Sequence, residues 1–358
     1  MTPHIHTTVD SGLGIITLDR PQALNALSLD MIRAITVPLL QWLDDDAVDT
    51  VVLRSSSERA FCAGGDIRFF HEVATGGLSA GSARLEDFFT EEYRLNHLLH
   101  HYPKQTVAIM DGVVMGGGMG LSQGCDLRIV TERTRMGMPE VSIGLFPDVG
   151  GGYFLSRAKS LLGLELALTG RVIQATDALL AGLADVALWT GAVEQTLPLL
   201  KAARPGERVA ELQLKLAAHP AQCTDSLYRT QAESIPQHFS HAHVPDILHS
   251  LASEDSDYAR EAIALMRQRS PLMMCVTLEQ IRRAQTQSVG EDLRMERDMV
   301  RHCFTHGEVV EGIRARAIDK DHHPRWRHAR AEDVSEAEIA AFFEPVWPAH
   351  AHPLRELA

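Results

Sequence analysis

Three glycine clusters and two isolated acids are the residues of this chain best suited to chemistry. The clusters are Ala63-Gly64-Gly65-Asp66, Gly116-Gly117-Gly118 and Gly150-Gly151-Gly152. None continues as G-K-S/T, and none gives a clean G-x-G-x-x-G after a strand with an acid downstream. Nucleotide hydrolysis and dinucleotide binding therefore fit poorly. Such clusters also mark tight turns. A missing Cβ lets backbone N–H groups approach a ligand closely, and two N–H groups converging on one oxygen make an oxyanion hole. The acids are Glu140 and Asp148, alone in the otherwise apolar stretch Met136 to Asp148. An acid in apolar surroundings is costly unless it has a partner or a task. A carboxylate beside an oxyanion hole can deprotonate a water or attack a carbonyl. Asp148 also precedes Val-Gly-Gly-Gly-Tyr, which suits an N-cap.

The elements that would hold these residues fall into two parts. Leu13–Leu18, Thr50–Arg54, Thr106–Met110, Leu127–Val130 and Ala184–Leu188 read as strands, being short, rich in Val, Ile or Leu and bounded by turn residues. Helical stretches lie between them. After Ser28, a fitting N-cap, apolar residues at Met31, Ile32, Ile35, Leu39 and Leu43 mark one helix face, which Pro38 should kink or interrupt. Thr176 reads as the cap of a helix through Leu180. Alternating strands and helices predict an α/β architecture. From about Gly191 the signals are helical. Ser288-Val-Gly-Glu291 and Ser335-Glu-Ala-Glu338 fit the capping box. Pro198, Pro205, Pro236 and Pro245 suggest joints between helices. The expected division is thus 1–190 and 191–358.

Composition narrows the partners. The chain has 358 residues and a formal net charge of −13, so it has no general attraction for nucleic acid or anionic lipid. No apolar run approaches the roughly 18 residues of a membrane span, and the start, MTPHIHTTVD, shows no signal peptide. The cysteines, Cys62, Cys125, Cys223, Cys275 and Cys303, are odd in number and widely spaced. Neither a disulfide framework nor a zinc site is expected, and a reducing, cytoplasmic location is. The histidines at 238, 241 and 243, at 322 and 323, and at 4 and 6 lack metal-ligand spacing. They read as solvated or packing residues, so no metal is expected.

Taken in order, the motifs are more specific than any one of them. A strand leads to Ala-Phe-Cys-Ala-Gly-Gly-Asp-Ile67, then Asp-Gly-Val-Val-Met-Gly-Gly-Gly118, then Met-Pro-Glu140, then Leu-Phe-Pro-Asp-Val-Gly-Gly-Gly152. With the opening Leu18-Asp-Arg-Pro-Gln-Ala-Leu-Asn-Ala-Leu27, this resembles the enoyl-CoA hydratase/isomerase (crotonase) superfamily, strongly over residues 12–190. Within it the chain is most similar to the 3-hydroxyisobutyryl-CoA hydrolases, through Glu91-Glu-Tyr-Arg-Leu-Asn96, the run Met138 to Phe154, and the run Glu311 to Trp326.

The resemblance implies a crotonase-like spiral of ββα units with a helical C-terminal region. The first part would carry the acyl-CoA site and the second would complete the CoA cleft. It implies that the amides of Gly65 and Gly117 form the oxyanion hole. Gln22, Ala23 and Leu24 would line the CoA cleft, with Ala63, Asp66 and Ile67 nearby. Glu92, Gly117, Glu140 and Asp148 match substrate-contacting positions, and Asp148 would hold the substrate 3-hydroxyl or assist proton transfer. Lys320 sits where relatives place a basic residue, in the C-terminal helix near the CoA phosphates; it also reads as a solvated lysine beside Asp319 and Asp321. Hydratases often have lysine where this chain has Gln22, which puts contact with the adenosine end in doubt. The implied partner is an acyl-CoA thioester, with a homo-oligomer allowed and no nucleic acid or membrane. No cofactor is implied, since coenzyme A is part of the substrate.

Hydration needs an acid and a base on adjacent carbons, and crotonase hydratases use two glutamates. One matches Glu140. At the other, after the glycine triplet, this chain reads Gly118-Met-Gly120, and Gly120 cannot transfer a proton. The leading expectation is hydrolysis of a short branched 3-hydroxyacyl-CoA, 3-hydroxyisobutyryl-CoA in valine breakdown. Glu140 would act as base or as nucleophile. The alternatives are an enoyl-CoA hydratase or isomerase of the same superfamily, and a non-catalytic acyl-CoA-binding protein.

Overall fold

A computed structural model of the chain describes residues 2–76, 82–217 and 226–357. Among these residues the strands are β1 (Ile5–Asp10), β2 (Leu13–Leu18), β3 (Thr50–Ser55), β4 (Ala60–Cys62), β5 (Gln105–Met110), β6 (Val113–Met115), β7 (Leu127–Thr131), β8 (Arg135–Gly137) and β9 (Val186–Leu188). The larger sheet has the order β1-β2-β3-β5-β7-β9, antiparallel at β1–β2 and parallel beyond. The smaller has the order β4-β6-β8. Strands β3, β5 and β7 join one sheet, and the strand after each joins the other, with helices following the pairs. This is the expected α/β spiral of ββα units, and a helical C-terminal region follows it.

The sequence makes this sheet because its strands beyond β1 are largely apolar and buried. β2 is buried along almost its whole length, as parallel strands covered on both faces are. In register, Ile15 stands beside Val52, Val52 beside Val107, and Val107 beside Leu127. Leu200, Leu212 and Leu216 cover this row from the helices Thr196–Ala202 and Arg208–Ala217.

Two compact units result, interleaved in sequence. The first holds residues 1–65, 95–136 and 173–227, the second 66–94, 137–172 and 228–358. The boundary expected at residue 190 does not follow these units. Residues just beyond it stay with the first because Leu200, Leu212 and Leu216 complete its core.

In the second unit, Phe70, Phe88, Phe89 and Phe304 form an aromatic cluster, with Phe70 and Phe88 edge to face at 4.8 Å. Tyr93 joins it through Phe89. Arg297, buried on the helix Val289–His306, donates to Thr90 Oγ1 at 3.1 Å and pairs with Glu86. It thus ties that helix to the helix Ala83–His100. Both capping boxes, Ser288 with Glu291 and Ser335 with Glu338, are formed.

Local expectations fail where position within a helix matters more than residue type. Pro38 does not interrupt the helix Leu29–Trp42, which Ser28 caps and which buries Met31, Ile32, Ile35 and Leu39. Packing of that face outweighs one missing N–H. Thr176 lies inside the helix Ala175–Ala181, and the cap is Gln174. Pro198, Pro236 and Pro245 sit in first helical turns and only Pro205 is in a joint. A first-turn N–H has no intrahelical acceptor, so proline costs nothing there.

His238 is buried between Ser250 and Glu254, bonded to both at 2.8 and 2.7 Å, and so is a packing residue. Cys62, Cys125, Cys275 and Cys303 are buried, while Cys223 lies outside the described residues. Among the described residues no helix is long and apolar enough to cross a membrane.

Candidate active site

The first unit, taken by itself, holds the Gly65 and Gly117 amides. Gly65 follows β4 and bridges to Leu27, whose N–H bonds the Gly64 carbonyl at 2.8 Å. Gly117 opens the helix Gly117–Gln123 after β6, the strand beside β4. Gly64 has φ +102°, and a Cβ there would lie 3.3 Å from the Met115 carbonyl oxygen and 3.6 Å from the Gly117 nitrogen. A Cβ on Gly118 would lie 2.3 Å from the Cys62 carbonyl oxygen. Glycine is what lets these two backbones meet. Among the described residues neither the Gly65 nor the Gly117 amide donates a hydrogen bond. An oxyanion hole needs two such donors aimed at one oxygen.

A neighbouring loop is set by Asn25. Leu24 and Asn25 have φ of 50° and 56°. The buried Asn25 amide bonds Ser55 Oγ and the Ala60 and Phe61 carbonyls, while its Oδ1 accepts from Arg20 N at 2.7 Å. This fixes the turn Pro21–Ala23, where Gln22 is exposed and Ala23 half-buried. The Ala63 amide donates to the Leu24 carbonyl at 3.0 Å, so Leu24 and Ala63 are brought together.

The second unit, taken by itself, holds the acids. Glu92, Glu140 and Asp148 are all buried, Glu140 opening the turn Glu140–Ser142 and Glu92 on the helix Ala83–His100. Among the described residues Glu92 Oε1 and Glu140 Oε2 have no hydrogen-bond partner. Burial, and then the charge of Asp148, pushes the Glu140 carboxyl well above its usual range. Burial and the charges of Asp148 and Glu140 do the same to Glu92. Asp148 is pushed up to about 6 by burial, against the lowering by its hydrogen bond from Tyr93. That bond, Tyr93 Oη to Asp148 Oδ2, is 2.9 Å long. The charge of Asp148 thus acts on both glutamates and that of Glu140 on Glu92, and such unequal surroundings separate acid from base roles among chemically similar groups.

Asp148 is not the N-cap of the glycine turn. The helix Gly151–Ser156 starts at Gly150, and its first amides bond acids from the helix Val289–His306. Gly150 N and Gly152 N donate to Glu296 at 2.8 and 3.0 Å, and Tyr153 N donates to Asp292 at 2.7 Å. The Asp148 carboxyl is left for Tyr93. Asp66 does cap: it accepts from Phe69 N at the start of the helix Ile67–Thr75, of which Ile67 is the first residue. Lys320 is not in a helix. The helical turn ends at Ile318, and Lys320 is exposed with φ 55° between Asp319 and Asp321, both paired with Arg314.

Tyr93, Asp292, Glu296 and Gln280 escape the sequence reading. A signal existed for two of them. Val289, Asp292, Leu293, Glu296, Arg297, Val300 and Cys303 follow helical spacing and are all buried. The apolar members of that stripe place its acids inside.

The chain matches the enoyl-CoA hydratase/isomerase family model over residues 13–343 and belongs to that family. Among curated relatives, the protein named 3-hydroxyisobutyryl-CoA hydrolase, mitochondrial, of Gallus gallus is 37% identical over 340 residues, covering 94% of this chain and 87% of the relative. The Danio rerio protein of the same name is 38% identical, over 90% and 85%. Two solved structures carry other names. A carnitinyl-CoA dehydratase from Mycobacterium thermoresistibile is 38% identical with TM-score 0.88, covering 97% of this chain and 98% of that one. An enoyl-CoA hydratase from Rhodobacter sphaeroides 2.4.1 is 34% identical with TM-score 0.86, covering 96% and 98%.

Proposed function

We propose that the chain hydrolyses short branched 3-hydroxyacyl-CoA thioesters, with 3-hydroxyisobutyryl-CoA of valine breakdown as the substrate. The carrying observation is Glu140. It is a buried carboxyl with one oxygen that has no partner among the described residues, while position 120, where a second proton-transfer glutamate would stand, is a buried glycine. One carboxyl suffices for thioester cleavage and does not suffice for hydration through two.

In this reading the Gly65 and Gly117 amides hold the carbonyl oxygen as it gains charge. Ionised Glu140 takes a proton from water as the water oxygen bonds the carbonyl carbon. Collapse breaks the C–S bond, and the CoA thiolate takes that proton. In the variant route Glu140 itself attacks, CoA leaves as thiolate, and water cleaves the mixed anhydride. Asp148, oriented by Tyr93, accepts the 3-hydroxyl. Glu92 contributes to the acyl end, and Gln22, Ala23, Leu24, Ala63, Asp66, Ile67 and Lys320 to the CoA portion. No resident cofactor takes part. A cytoplasmic location is proposed on the odd number and wide spacing of the cysteines; the curated relatives are named as mitochondrial, and cell fractionation decides.

A second reading, hydration or dehydration, is favoured by the names of the two solved structures. Incubation with 3-hydroxyisobutyryl-CoA and with a 2-enoyl-CoA separates them. Thiol release from the first, without loss of enoyl absorbance from the second, supports hydrolysis; the converse refutes it.

A further inference from the structure

The turn after Asp148 has a backbone that needs explaining. Val149 has φ 58° and Gly150 φ 83°, so two consecutive residues are left-handed. For glycine this costs little, but for a β-branched residue it is a true outlier. Such a conformation persists only where the surroundings impose it, and it clusters at functional sites.

The imposing groups are visible. Glu296 uses both carboxylate oxygens, Oε2 for Gly150 N at 2.8 Å and Oε1 for Gly152 N at 3.0 Å. Asp292, one helical turn away, accepts from Tyr153 N. Gln280 donates from one amide nitrogen to Glu296 Oε1 at 3.0 Å and to the Pro147 carbonyl at 2.7 Å. The peptide after the strained residue, through Gly150 N, and the one before Asp148, through the Pro147 carbonyl, are therefore held from outside. A Cβ on Gly152 would lie 2.4 Å from Asp292 Oδ1, so the glycine is what admits the acids. All three side chains are buried. The amides of this third glycine cluster are thus turned toward the protein's own carboxyls. A simple helix cap would not need a left-handed valine. What the valine does is turn the chain directly after Asp148, whose carboxyl then meets Tyr93.

We propose that Glu296, backed by Asp292 and Gln280, is a positioning residue that holds the Val149–Gly150 turn and through it aims the Asp148 carboxyl. The inference rests on the reading of Asp148 as the group that accepts the substrate hydroxyl. Burial, with the charges of Asp292 and Asp148, pushes the Glu296 carboxyl well above its usual range, as expected of two acids crowded behind one turn.

The test uses Glu296→Gln, which keeps size but puts an amide donor against one backbone N–H. Two readouts are needed. The first is hydrogen exchange at residues 148–153, which should quicken in the variant. The second is kcat and KM for 3-hydroxyisobutyryl-CoA against isobutyryl-CoA. Misplacement on the scale of an ångström costs about 10²-fold in rate, so kcat on the hydroxylated substrate should fall by about that factor with KM changing less, and the preference for it should shrink. Adding Val149→Gly, which makes the left-handed turn inexpensive without the clamp, should restore part of that preference. Unchanged exchange in a folded Glu296→Gln protein overturns the proposal. So does an equal loss on both substrates with no rescue, which is the mark of a merely structural residue. If the unmodified chain releases thiol from no thioester, the hydrolase reading itself fails; the clamp is then judged on exchange alone, where quickened exchange reversed by Val149→Gly supports it and unchanged exchange overturns it.

Discussion

Replacing Tyr93 by Phe removes one hydroxyl and little else, so its effect can be worked from the structure. That hydroxyl is the side-chain donor to Asp148, at 2.9 Å, inside a buried site. A hydrogen bond to a charged group contributes about 1.5–3 kcal/mol. At roughly 1.4 kcal/mol per pKa unit, its loss should raise Asp148 by about 1–2 units, from the present value of about 6. The ionised form of Asp148 is the better acceptor for a substrate hydroxyl. The observable is the ratio of kcat/KM for 3-hydroxyisobutyryl-CoA to that for isobutyryl-CoA, measured from pH 5 to 9. Both substrates need Glu140 equally, so its titration cancels in the ratio. In the unmodified chain the ratio should fall on acidification with a midpoint near 6. In Tyr93→Phe the midpoint should move up by about one to two units. A ratio that is flat with pH, or a midpoint that stays put, would refute the assignment of Asp148 to the hydroxyl.

Glu140→Gln, close in shape but neither base nor nucleophile, should lower turnover by about 10²–10⁴-fold while acyl-CoA binding, measured calorimetrically, is largely kept; near-normal turnover removes Glu140 from the chemistry. Glu92, Glu140, Asp148, Asp292 and Glu296 all have folded-state pKa values raised by burial, Asp148 to about 6 and Asp292 to about 7. A raised acid binds its proton more tightly folded than unfolded, so its contribution is present at low pH and lost as pH rises through the folded value. Thermal melting should therefore move upward between pH 8 and pH 6, and a steady downward movement over that window contradicts the carboxyl assignments. Activity should survive exhaustive chelation; a loss that a divalent ion restores would reveal a metal step.

How much of this was legible depends on the range of the interaction involved. Strand runs such as Leu13–Leu18 are local and continuous, so their hydrophobicity announces them. The capping boxes at Ser288 and Ser335 span only three residues and were readable for the same reason. The motif order placed Gly65, Gly117, Glu140 and Asp148. Their partners were less visible. Tyr93 meets Asp148 across 55 positions and Glu296 meets Gly150 across 146, and no local pattern encodes either. Pro38 shows the same limit, since the burial around it outweighs its own preference. The helix that the resemblance implied around Lys320 is not formed there, because the helical turn ends at Ile318.

The interleaving of the two units fixes an order of events at the ribosome. Domains that are contiguous in sequence fold as they emerge, at about 5–20 residues per second of synthesis. Neither unit here is contiguous. The sheet of the first has all its strands once Leu188 has been made, but Leu200, Leu212 and Leu216 must follow before its exposed row is covered. The wait in the second is longer. Arg94 emerges early, yet its partners, the Glu356 carboxylate at 2.6 Å and the Pro353 carbonyl at 2.8 Å, are made 262 and 259 positions later. Glu296, which holds the turn after Asp148, is also late. A nascent chain stalled before the helix Val289–His306 would thus expose Glu140 and Asp148 without the clamp that orders them, and would need sheltering until translation supplies it.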